Sequence, residues 1–63
     1  MNKICLAIRQ SLLLYKARLE KARALDDKIA VGEIEGEIRG FRAGLKLCLR
    51  AELVDAIFEK EGL

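Results

Sequence analysis

Apolar residues in the first third of the chain return in alternating steps of three and four: Cys5, Ile8, Leu12, Tyr15, Leu19 and Ala22. Such a heptad seam marks one stripe of an amphipathic helix. Asn2 suits its N-cap. The next seam position is Asp26, a charge where an apolar residue is wanted, and Asp27 and Lys28 come directly after it. The pattern predicts a helix over about residues 2–25 and a hinge over about 26–32, with Asp26 or Asp27 placed to cap the next helix.

A second helix is predicted over about 33–61, starting at about Ala30 or Glu33, with Gly62 as its C-terminal stop. One face of it reads Ile34, Ile38, Phe41, Leu45, Cys48 and Leu49. A second face, roughly 120–160° away at 100° per residue, reads Gly36, Gly40, Ala43, Gly44, Leu47, Ala51, Val54 and Phe58. A helix with two apolar faces needs two neighbours. The expected ones are the chain's own first helix and another subunit, met through Gly36, Gly40, Gly44, Leu47, Ala51, Val54 and Phe58. The start of the first helix is apolar around most of its circumference through Ile4, Leu6, Ile8, Leu12, Leu13 and Leu14, which also implies burial on several sides.

The expected fold is therefore all-α: a two-helix antiparallel hairpin, a single domain over 1–63, assembling into a homo-oligomeric helical bundle. A dimer of hairpins would be a four-helix bundle, and a ring or larger bundle is the alternative. One continuous helix through 26–32 is disfavoured because the seam loses register there.

Gly32, Gly36, Gly40 and Gly44 recur every fourth residue. Each glycine inside a helix costs about 1 kcal/mol relative to alanine, so the series calls for something that exploits bare backbone. A closely approaching helix is one reading, as in faces with small residues at every fourth position. The floor of a groove for a flat ligand is the other.

Composition points the same way. A chain of 63 residues usually needs disulfides, a metal or self-association to be stable. Two cysteines are too few for a disulfide framework and there is no histidine to complete a zinc site, leaving self-association. Proline and threonine are absent and the formal net charge is +2, a balance that neither requires nor excludes an anionic partner. The apolar stretch from Ile4 to Tyr15 is interrupted by Arg9 and Gln10 and falls well short of the roughly 20 residues of a membrane span. With no leader-like N-terminus, the expectation is a cytoplasmic protein with Cys5 and Cys48 as free thiols.

Candidate chemistry is sparse. A nucleophile needs a positioned base, most often histidine, and none exists. Ser11 falls inside an apolar helix, so no catalytic residue, enzyme activity, metal or cofactor is expected. Glu33 and Glu37 are four apart, but acids near a helix start complement its dipole and nothing nearby completes a cation shell. Glu52 shares the angular face of Ile34 and Leu45, where a carboxylate needs a partner, and Arg9 stands at the matching level of the first helix. Arg39, Arg42, Lys46 and Arg50 fall within a stripe of about 80°, while Arg9, Lys16 and Arg23 flank the first seam. Such a stripe suits phosphates or acidic surfaces, or else is a solvated face paired with Glu35 and Glu52.

In length and hairpin topology the chain resembles the Rop family of plasmid RNA-binding proteins, which are dimeric four-helix bundles. The likeness is architectural and carries over no residue. It is also similar in kind to short phage-encoded proteins, some of which bind host defence proteins or sequester nucleotide signals as helical oligomers. These resemblances imply a phage- or plasmid-type accessory protein. The expected role is that of a non-enzymatic homo-oligomer that binds and regulates or inhibits a macromolecular partner, most simply a protein. One alternative is sequestration of a small anionic ligand, such as a signalling nucleotide, between subunits, with the Arg39–Arg50 stripe on its phosphates. The other is Rop-like RNA binding.

Overall fold

The seam that fails at Asp26 ends the first helix near that point. In the computed structural model, which describes residues 3–63, α1 spans Lys3–Ala24, α2 Lys28–Leu45 and α3 Ala51–Lys60, with no strand among the described residues. The proposed Asn2 cap lies outside the described residues. Asp26 takes a left-handed conformation (φ 53°), its amide donates to the Arg23 carbonyl at 3.0 Å, and that of Asp27 donates to Ala22 at 2.9 Å. This is a Schellman closure built on aspartate, one of the few side chains that tolerate that region. Asp27 then caps α2, its carboxylate accepting from the Ala30 amide at 3.0 Å. The same closure recurs at the other end. Gly62 is left-handed (φ 77°), and the amide of Leu63 donates to Phe58 at 2.9 Å. Gly62 is thus the stop the sequence predicts.

α1 and α2 run antiparallel, registered by Arg18 on Glu37 at 2.9 Å. Ile8, Leu12, Leu19 and Ala22 of the first seam are buried, and they meet Ile34 and Ile38 of α2. Cys5 and Tyr15 are half-buried in the same stripe.

The continuous second helix over about 33–61 does not form. It starts earlier, at Lys28, and stops at Leu45; residues 46–50 turn the chain back, and α3 is a separate helix. A two-helix hairpin is therefore a three-helix arrangement. The turn at 46–50 carries Val54 and Phe58 back onto α1 and α2. Folded back, both side chains are fully buried, each burial worth about 1.5–3 kcal/mol. α3 runs antiparallel to α2, with Asp55 beside Arg42 and Phe58 beside Phe41. It runs in the direction of α1, with Glu61 on Arg9 at 3.0 Å. The rings of Tyr15, Phe41 and Phe58 form a chain with centroids 5.8 and 6.1 Å apart, joining all three helices.

Candidate functional site

The fold sorts the residues of the expected subunit face into two groups. Val54 and Phe58 belong to the protomer's own core and are withdrawn from any outward face, because α3 no longer continues the axis of α2. Gly36, Gly40, Gly44, Leu47 and Ala51 stay exposed. A Cβ added at Gly32, Gly40 or Gly44 would meet nothing within 4 Å, and at Gly36 only the Arg39 guanidinium at 4.0 Å. No helix of the protomer makes use of the bare backbone.

The basic stripe is also divided. Arg42 and Lys46 converge on Asp55, at 2.7 and 2.8 Å, and the Arg42 guanidinium lies over the Phe58 ring at 5.2 Å from its centroid. Hydrogen bonds from Lys46 and then Arg42 hold the Asp55 carboxyl below the usual aspartate value. These two cations clasp α2 to α3 rather than lining a phosphate row. Arg50 reaches only Glu52, at 3.9 Å, with both side chains in solvent. The expected Arg9–Glu52 pair is absent because the fold-back brings Glu61 to Arg9 and leaves Glu52 outside. Arg42 likewise meets Asp55 rather than Glu52. Arg39 borders a cleft of about 250 Å³ with Arg23, Glu35 and Leu63 among its lining.

Glu37 is engaged by Arg18, and no group of three or more potential metal-ligating residues occurs among the described residues. Cys5 is half-buried and Cys48 is exposed, both as free thiols. Cys48 therefore leaves the seam in which the sequence places it. No helix among the described residues is long and apolar enough to cross a membrane.

What remains is the outward side of α1. Ile4, Leu6, Leu13 and Leu14 are 54, 43, 47 and 69% exposed, and Leu6, Gln10, Leu13 and Ala17 succeed one another in steps of four, three and four. That is a second, outward stripe on the same helix. Ser11, Leu14, Tyr15, Ala17 and Arg18 line a shallow hollow of about 420 Å³ beside it. α1 carries Lys3, Arg9, Lys16, Arg18, Lys21 and Arg23 against the single acid Glu20; Glu61 and Glu37 from the other helices pair with Arg9 and Arg18, and the helix keeps a smaller surplus of positive charge. The sequence signals the apolar stripe through the all-round apolarity of residues 4–14. It does not mark these leucines as the residues left over once the core is filled.

No protein-family model matches the chain, and no curated protein or solved structure is significantly similar to it. Its own geometry is what bears on its function.

Proposed function

We propose that this chain is a non-enzymatic, self-associating helical module that binds and regulates a protein partner through the outward side of α1. The observation that carries the reading is the exposure of Leu6 and Leu13 on one outward stripe of α1, and of Leu14 on the face next to it, on a helix with six basic residues and one acidic one. Contiguous exposed apolar side chains rimmed by charge mark interaction surfaces. The matching occupant is an amphipathic helix or groove with apolar anchors and an acidic rim. The anionic-ligand reading has less support, since Arg42 and Lys46 are committed to Asp55 and no aromatic side chain joins Arg39 at its cleft. Rop-like RNA binding draws on the same α1 cations, but does not account for the leucines between them.

The test is native mass spectrometry of the protein purified from its host, alongside a Leu13→Glu/Leu14→Glu variant. Both leucines are exposed, so the variant keeps its helical circular dichroism. A protein companion should be retained by the original chain and lost by the variant. A companion retained equally by both would overturn the α1 reading. A retained nucleotide, or RNA whose affinity falls steeply with salt, would overturn the protein-partner reading.

A further inference from the structure

We infer that two copies of this chain associate by exchanging α3. In the dimer the joint at residues 46–50 straightens, α2 and α3 fuse into one helix, and Val54 and Phe58 of each copy fill the groove between α1 and α2 of the other. The inference rests on the self-association proposed above and supplies its structural route.

The joint has no helix-breaking residue. Lys46, Leu47, Cys48, Leu49 and Arg50 include neither glycine nor proline, and most of them are good helix formers. Both ends of the joint hold a helical φ. Lys46 ends α2 at φ −68° and ψ −14°, and Arg50 holds a helical φ of −64° and departs in ψ, at 133°.

The closed joint leaves backbone groups open. Arg50 caps α3 without a side-chain hydrogen bond. The first α3 amide to find a backbone acceptor across the joint is that of Val54, on Arg50. The amides of Arg50, Ala51, Glu52 and Leu53 find no backbone acceptor, and the carbonyls of Lys46 to Leu49 no backbone donor. In a continuous helix these groups pair one-to-one.

A straight α2–α3 helix carries its own Val54 and Phe58 away from the groove between α1 and α2 that they fill in the protomer. The groove those side chains leave is shaped for them, so the α3 of a second copy fits it without new complementarity. Exchange of an identical element is a low-cost route to a dimer. The antiparallel pairing of Arg42 with Asp55 is reproduced between copies, and it brings the two joints together about the two-fold axis. Leu47, the most exposed large apolar residue at 88%, then lies at the crossing of the two long helices.

Ala51→Pro separates the two states. Ala51 is the first residue of α3, where proline is favoured, and the extended ψ of Arg50 suits a residue preceding proline. In a continuous helix the same proline removes a hydrogen bond and strikes the Leu47 carbonyl. Sedimentation across a concentration series should show a monomer–dimer equilibrium for the original chain. In Ala51→Pro, dimerisation should be weakened by about a hundredfold or more, with the monomer's helicity retained. Equal dimerisation by the two proteins overturns exchange and leaves self-association standing. A chain that stays monomeric at every concentration overturns self-association, and exchange with it. If Ala51→Pro does not fold, hydrogen exchange on the original chain decides. The Ala51, Glu52 and Leu53 amides should slow as the dimer forms, and unchanged rates overturn the inference.

Discussion

Arg42 and Asp55, thirteen residues apart, meet across the joint of α2 and α3 through two hydrogen bonds, from Nε at 3.0 Å and Nη2 at 2.7 Å. Lys46 adds a third contact to the same carboxylate oxygen at 2.8 Å. Because Lys46 and Arg42 favour the ionised form of Asp55, its carboxyl titrates below the ordinary value of 3.8. A depressed folded-state pKa contributes stability that is fully present above the unfolded value and lost as pH falls through the folded one. Thermal melts monitored by circular dichroism should therefore show a loss that begins below about pH 3.8. Asp55→Asn should melt lower at neutral pH and should lack that component of the acid-induced loss. Parallel pH profiles for the two proteins would show that Asp55 does not hold the joint.

Phe58 is the largest fully buried side chain and the end of the aromatic chain that links the helices. Truncation to alanine removes its transfer energy and leaves a cavity, a loss of about 3–5 kcal/mol. In a domain whose whole stability is of the order of 5 kcal/mol, Phe58→Ala should abolish cooperative unfolding by urea. Phe41→Ala, at a half-buried ring, should cost less and leave a measurable transition.

The caps at the first hinge make opposite predictions for adjacent aspartates. Asp27 accepts from the Ala30 amide, so Asp27→Ala should destabilise the protein by about 1 kcal/mol. Asp26 occupies a left-handed backbone position that glycine adopts without penalty. Asp26→Gly should stabilise by about 0.5–1 kcal/mol. Urea denaturation of the two variants checks both signs.

α1 and the start of the first hinge were legible in the sequence because local rules and tertiary packing agree there, while the hinge's expected second half, 28–32, is already helix. The seam from Cys5 to Ala22 is the stripe that α2 covers, Asp26 stops the helix in a left-handed conformation, and Asp27 restarts it as the cap of α2. The second break was not legible. The three-four periodicity runs from Leu45 to Leu49 without a breaker, and the turn goes with a tertiary contact, the burial of Val54 and Phe58 in the common core. Assigning Val54 and Phe58 to an outward face assumed one straight axis, and the mistaken partners of Arg9 and Arg42 stem from the same assumption. The leucines of α1 were visible as apolar. Which of them stay uncovered depends on where α3 lands.

The glycines of α2 give a prediction independent of any partner. The space beside Gly40 is open and its backbone is helical, so Gly40→Ala should stabilise the protomer by about 1 kcal/mol. Melting at low concentration, which disfavours any association, reads this directly. A destabilised variant under those conditions would mean that something in the protomer packs against Gly40.

Arg9 and Glu61 differ in exposure, 45 and 10% for their side chains, and that asymmetry makes the last prediction. Removing the exposed partner strands the buried one. Arg9→Ala leaves a nearly enclosed carboxylate without its cation, a loss of about 1–3 kcal/mol. Glu61→Gln leaves an exposed guanidinium that water can solvate, and its amide oxygen can still accept from Arg9 Nε. It should cost the smaller amount. The double variant Arg9→Ala/Glu61→Gln no longer holds a buried charge, so it should be more stable than the sum of the two single losses predicts. A double-mutant cycle in urea measures that coupling. Strict additivity would mean that Arg9 does not hold Glu61 and that the C-terminal turn docks on α1 through Phe58 and Leu63 alone.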